Sequence, residues 1–170
     1  MLSDINNQGE GALSAHDVKD HPLYSIGSAA RMLGISVHTL RMYERQGLIL
    51  AYKTETNQRR YSETDIDRLR CIRHAITEEK LGIAGIQRLQ AMIPCWEIRS
   101  CPKEQREECP AYRSHTKGCW TFDRMGSTHA SRGCRDCPVY KISTDCKAIK
   151  DFIIRVSSKE CSGPFQVGAG

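Results

Sequence analysis

Nine cysteines fall in a chain of 170 residues, and eight of them lie from Cys95 onward. Thiolates gathered in one place either ligate a soft metal or exchange with disulfides. The amino-terminal stretch lacks the basic start and apolar run of an export signal, so a cytoplasmic location is expected, where thiols stay reduced. Metal ligation or reversible redox chemistry is then the use left for them. The spacing is Cys95-x5-Cys101-x7-Cys109-x9-Cys119-x14-Cys134-x2-Cys137-x8-Cys146-x14-Cys161. Only Cys134 and Cys137 form a Cys-x-x-Cys, which lets both sulfurs face one ion from a tight turn. An aromatic residue follows four of the cysteines, as in Cys95-Trp96, Cys109-Pro110-Ala111-Tyr112, Cys119-Trp120 and Cys137-Pro138-Val139-Tyr140. Such rings are suited to walling a centre from water. Aliphatic residues are too sparse here for an ordinary core, so a metal-stabilised domain is expected.

Three chemistries compete for these thiols. Structural zinc takes four thiolates in a tetrahedron and does no redox chemistry. An iron-sulfur cluster also takes four thiolates and suits aromatic shielding and redox or gas sensing. A metal-free thiol-disulfide switch is favoured if Arg135 or Lys147 lowers a neighbouring thiol pKa. His115 and His129 read as solvated loop residues, and Cys71 as a small core or boundary residue.

The elements around these residues divide the chain. The segment 1–20 carries one basic and four acidic residues with little to bury, and reads as a flexible acidic tail. The segment 21–94 carries eleven basic and seven acidic residues, and 95–170 thirteen and nine. Pro94 closes a helical pattern where the cysteines begin. A domain over 21–94, a cysteine-rich domain over 95–160 ending in a helix at 147–156, and a flexible tail over 161–170 are expected. At 39% hydrophobic and 26% charged the chain is built to fold. It holds no apolar run near the ~20 residues of a membrane span, and its net charge of +5 permits a polyanionic partner.

Within 21–94, Ser25 caps a helix whose Ile26, Ala29, Ala30 and Leu33 share a face, and Gly34 stops it. Ser36 caps a second helix with Val37, Leu40 and Tyr43 inward and His38, Thr39, Arg41 and Arg45 outward. Helix, glycine turn and helix is a DNA-reading arrangement. Strand-like pieces at 48–52 and 59–61 flank a polar loop and form a wing presenting Arg59 and Arg60. Ser62 and Asp65 open a third helix with Ile66, Leu69, Ile72 and Ile76 buried. A fourth, over 83–93, buries Ile83, Ile86, Leu89 and Ile93. The fold class is mainly α with a small β wing: a winged helix-turn-helix followed by a small cysteine-rich, metal-stabilised domain.

The runs Tyr24-Ser25-Ile26-Gly27, Thr39-Leu40-Arg41-Met42-Tyr43-Glu44-Arg45-Gln46-Gly47-Leu48-Ile49 and Arg59-Arg60-Tyr61-Ser62-Glu63-Thr64-Asp65-Ile66 resemble the MerR family of bacterial transcriptional regulators, in particular its HspR-like branch. Where many members carry two tyrosines after the recognition-helix arginine, this chain has Met42 and Tyr43. The resemblance implies that Arg41 and Tyr43 touch DNA backbone and that His38 and Thr39 lie near bases. It implies that Arg59, Arg60 and Tyr61 grip phosphates from the wing, with Ser25 also at the DNA. It further implies a homodimer on double-stranded promoter DNA, with RNA polymerase as partner at the promoter. The stretch 95–140 resembles a cysteine-and-tryptophan module found at the ends of some bacterial signalling proteins. That resemblance implies that Cys95, Cys101, Cys109, Cys119, Cys134 and Cys137 belong together and leaves Cys146 and Cys161 as extras.

The expected function is a DNA-binding transcriptional regulator that senses metal or redox state through its cysteines. A purely structural zinc domain and a thiol redox or adaptor protein stand as alternatives. No enzyme is expected: no phosphate loop, nucleophile elbow or metalloprotease motif occurs, and no alternating strand-helix pattern surrounds the Cys-x-x-Cys.

Overall fold

The computed structural model describes residues 15–122, 133–143, 150–151 and 154. Among them, a short helix α1 (Ala15–Asp20) precedes strand β1 (Tyr24–Ser25), helices α2 (Ile26–Leu33) and α3 (Val37–Arg45), strands β2 (Tyr52–Lys53) and β3 (Arg59–Tyr61), and helices α4 (Glu63–Thr77) and α5 (Ile83–Ala91). The cysteine-rich part adds short helices α6 (Cys95–Ile98), α7 (Lys103–Glu108), α8 (Pro110–Arg113) and α9 (Pro138–Ile142), with 3-10 turns at Cys119–Thr121 and Cys134–Asp136. No helix among the described residues is long and apolar enough to cross a membrane.

The helix signals act where the residues place them. Ser25 Oγ accepts from the Ser28 amide at 3.2 Å, and Gly34, at φ +62°, closes α2 by donating to the Ala30 and Arg31 carbonyls. Ser36 Oγ accepts from the Thr39 amide at 3.0 Å and starts α3. Ser62 and Asp65 form a complete capping box for α4, with Asp65 Oδ2 accepting from the Ser62 amide at 2.9 Å. Ala29, Ala30 and Leu33 of α2, Leu40 and Tyr43 of α3, and Ile66, Leu69 and Ile72 of α4 form one core with Leu48, Ile49, Tyr61 and Ile86. Burial of this order is worth roughly 1.5–3 kcal/mol for each large aliphatic side chain.

Several expectations are corrected. The sheet has three strands, ordered β1-β3-β2 and antiparallel, because Tyr24 and Ser25 pair with Tyr61 and Arg60. The first wing strand is Tyr52–Lys53, since Leu48 and Ile49 are wholly buried in the helical core and, among the described residues, pair with no strand. The segment 1–20 was expected to be a flexible tail, yet its last six residues form α1, which packs on α4; residues 1–14 lie outside the described set. On α5, Leu89 is 45% exposed while Gln87 and Gln90 are buried, because Gln87 Nε2 donates to the Gln46 carbonyl at 2.7 Å and turns that face inward. Cys71 is exposed on α4.

Pro94 does not separate two independent cores. Ile93 joins Trp120, Val139 and Tyr140 in a second apolar cluster that also takes Leu50 from the wing segment. The expected helix over 147–156 and the thiols of Cys146 and Cys161 lie largely or wholly outside the described residues.

Candidate functional site

The surface expected to read DNA is formed by α3 and the wing. On α3, His38, Arg41 and Arg45 are exposed and Thr39 is half-buried, its Oγ1 hydrogen-bonded with Ser36 Oγ at 2.9 Å. From the wing, Arg59 Nε donates to Glu44 Oε2 at 2.5 Å, and this bond holds the Arg59 guanidinium above its usual pKa. The wing is thereby fastened to the recognition helix. Arg60 Nη1 reaches the Leu23 carbonyl at 3.5 Å and stays half-exposed.

Three expected contacts change role. Tyr61 is fully buried, so it is a core residue; burial pushes its phenol far above the usual range. Tyr43 is 6% exposed and its phenol is likewise raised by burial. Ser25 spends its hydroxyl on the α2 cap and on Ser28 Oγ at 3.0 Å. Tyr43 and Tyr61 lie on the inward helix and strand faces that the periodicity requires, whereas Ser25 is half-buried at the start of α2.

The cysteine-rich part gathers its thiols. Cys95, Cys101, Cys109, Cys119, Cys134 and Cys137 all line one cavity of about 280 Å³, walled also by Trp120, Val139 and Tyr140. Desolvation and then the neighbouring thiols push Cys119 up to about 12 and Cys95 up to about 11. These two are therefore neutral thiols at pH 7, and only a bound cation would favour their thiolate forms. Among the described residues, no group of three His, Cys, Asp or Glu side chains already forms an ion-holding set. His115 is exposed and lies outside the cavity lining.

The cavity wall is bonded directly to the reader. Trp120 Nε1 donates to the Gly47 carbonyl at 2.7 Å, and the Leu50 amide donates to Tyr140 Oη at 2.8 Å. Between these lies the segment joining α3 to the wing. Arg135, within the Cys-x-x-Cys turn, donates to the Leu50 carbonyl and, at 2.6 Å, to Asp65 Oδ2, the carboxylate that caps α4. Arg135 is thus committed to these partners rather than to a thiol, while Lys147 lies outside the described residues. Arg68, 4% exposed, donates to the Tyr140 carbonyl and stacks with its guanidinium carbon 3.6 Å from the Tyr140 ring centroid. Burial pulls the Arg68 guanidinium below its ordinary pKa while Tyr140 and Asp65 oppose that shift.

Gly47 permits this joint. It sits at φ +71°, and a Cβ there would meet Thr121 Cγ2 at 2.4 Å. Sequence reasoning saw Trp120 and Tyr140 as shields for a centre and missed them as the link to the wing. The one local signal was Gly47, a glycine ending the recognition helix. Nothing local marked Arg68, which follows the polar Asp67 on α4 and is buried only because the cysteine-rich part covers it.

Residues 24–93 match the family model described as MerR HTH family regulatory protein. The chain is 39% identical to the putative heat shock protein HspR of Streptomyces coelicolor over 71 residues, 42% of this chain and 47% of that protein. It is 32% identical to the mercuric resistance operon regulatory protein of Pseudomonas fluorescens over 123 residues, 68% of this chain and 83% of that protein. To the heavy metal-dependent transcription regulator 2 of Rhizobium meliloti it is 34% identical over 77 residues, 45% of this chain and 50% of that protein. The match thus spans about half the length of the first and last of these relatives and most of the second.

Proposed function

The chain belongs to the MerR family of helix-turn-helix regulatory proteins and is a DNA-binding transcriptional regulator; from that premise we propose that it binds promoter DNA as a homodimer and reports the state of a metal centre held by its cysteines. His38, Thr39 and Arg41 of α3 meet the major groove, and Arg59 and Arg60 meet phosphates from the wing. RNA polymerase at the same promoter is the partner through which the signal reaches transcription. The observation that carries this reading is that Trp120 and Tyr140 wall the six-thiol cavity and also bond the segment between recognition helix and wing. A change in that cavity has a short covalent and hydrogen-bonded route to the DNA-reading surface.

The donor set suits a metal. Four of Cys95, Cys101, Cys109, Cys119, Cys134 and Cys137 suffice either for an iron-sulfur cluster or for zinc. A site holds one water-sized particle in roughly 10–15 Å³, so a cavity of about 280 Å³ has room for a multi-atom cluster. That room admits an iron-sulfur cluster, whose chemistry would be one-electron transfer or reaction with oxidants. The 3-10 turn that carries Cys134 and Cys137 favours the second reading, a single zinc ion. In both, the chain's own part is to supply thiolates and to exclude water with Trp120 and Tyr140.

Iron, zinc and acid-labile sulfide are to be measured on full-length protein purified without oxygen. Iron with sulfide and absorbance at roughly 400 nm supports the cluster; stoichiometric zinc supports the second reading; neither metal overturns the metal centre. Cys134→Ser with Cys137→Ser is expected to lower that metal content while α3 and the wing still bind DNA.

Arg41→Ala is expected to weaken promoter binding by about 1–3 kcal/mol. A titration of the two proteins on the same duplex checks it, and superimposable curves would remove Arg41 from the interface.

A further inference from the structure

The groove between the recognition helix and the wing has a third wall. Arg41 and Arg45 come from α3, Lys53 and Arg59 from the wing, and Lys117 from the cysteine-rich part; together they line one groove of about 710 Å³. Glu44 is the one acidic residue in that lining, and its carboxylate is taken by Arg59 at 2.5 Å. Arg41, Arg45, Lys53 and Lys117 are paired with no carboxylate among the described residues. A concave surface with this excess of one sign concentrates a polyanion.

Lys117 is exposed, and the residue after it is tightly packed. The next residue, Gly118, lies so close to the Trp120 ring that a Cβ there would meet it at 2.4 Å. Trp120 in turn is 4% exposed and bonded to the Gly47 carbonyl, at the end of the recognition helix. Thr121 packs against the same glycine. The chain next to Lys117 is thereby placed relative to Arg41 and Arg45 by a tightly packed joint, and only the lysine side chain itself has to order to meet an anion at the groove.

We propose that the DNA-binding surface extends beyond the winged helix onto the cysteine-rich part, with Lys117 as a phosphate-contacting residue and the groove seating one strand of the duplex backbone. The occupant is the sugar-phosphate backbone because the groove offers guanidinium and ammonium groups at its rim and runs alongside the helix that reads the bases. This deepens the DNA-binding reading above and rests on it.

Phosphate contacts carry no sequence information, so a short mixed-sequence duplex serves as the probe. Binding of the full chain is followed by fluorescence anisotropy across a range of salt. Lys117→Ala is expected to weaken binding roughly three- to tenfold at low salt and to reduce the slope of log affinity against log salt by about 0.9. Lys117→Glu is expected to weaken it further. Lys103→Ala removes an exposed cation of α7 that lies outside the groove, and is expected to leave affinity and slope unchanged. Wild-type affinity and slope in Lys117→Ala overturn the assignment, and so does an equal loss in Lys103→Ala, which would mark a general effect of net charge. If the unaltered chain shows no salt-dependent binding to any duplex, the DNA-binding reading itself fails, an outcome distinct from the failure of Lys117 alone.

Discussion

Trp120→Ala is expected to destabilise the protein by about 3–5 kcal/mol, the usual range for deleting a buried tryptophan. The ring is 4% exposed, meets Tyr140 edge-on at 5.3 Å between centroids, and fills the second apolar cluster with Ile93 and Val139. Its Nε1 also satisfies the Gly47 carbonyl at 2.7 Å. Trp120→Phe separates the two contributions: it keeps most of the apolar contact and loses the hydrogen bond, so about 1–3 kcal/mol is expected. Urea unfolding of the three proteins, followed by circular dichroism, checks the ranking. Equal stability of Trp120→Ala and the unaltered chain would mean that the cysteine-rich part is not docked on the wing segment. The same substitution opens the wall of the six-thiol cavity, so a metal held there, as proposed, should be lost more readily to a chelator.

Arg135→Ala is expected to cost about 1.5–3 kcal/mol, the range for losing a hydrogen bond to a charged group, because the Arg135 side chain is 23% exposed and the pair only part-buried. Asp65 has a side chain 4% exposed and would lose its direct ion-pair partner, keeping the Ser62 amide and the neighbouring charge of Arg68, while the Leu50 carbonyl would lose a donor. The planar fork of the guanidinium serves both partners at once, which the single ammonium of lysine does poorly, so Arg135→Lys is expected to recover only part of the loss. Asp65 also caps α4, so Asp65→Asn is destabilising by itself. A double-mutant cycle therefore isolates the pair: a coupling of about 0.5–3 kcal/mol between the two substitutions is expected. Strict additivity would show that Arg135 and Asp65 do not act on each other. Because Arg135 lies between Cys134 and Cys137, the same bond ties the thiol turn to both the wing segment and the α4 cap.

The reader domain was legible because its signals are local. Ser25, Ser36 and Ser62 each cap the helix expected of them, and Gly34 ends α2 in the left-handed conformation. Period 3.6 placed Leu33, Leu40, Ile66 and Leu69 inward, and all four are buried. The misreadings came where a residue answers to a distant partner. Leu89 continued the apolar stripe of α5 in sequence, but Gln87 found the Gln46 carbonyl and turned the helix. Tyr61 looked like part of a cationic wing edge, although strand alternation puts it opposite Arg60, on the core face.

For the cysteine-rich part the division is sharper. Spacing alone singled out Cys134 and Cys137 as a chelating pair, and the resemblance to a cysteine-and-tryptophan module implied that Cys95, Cys101, Cys109 and Cys119 belong with them. That they line one cavity, that its aromatic wall bonds Gly47 and Leu50, and that Arg68 is buried beneath Tyr140 were decided by tertiary structure alone. Capping, turn chemistry and periodicity act within about one helical turn and so can be read along a chain. A contact such as Trp120 to Gly47, 73 residues apart, depends on how two packed surfaces meet, and no local pattern encodes that meeting.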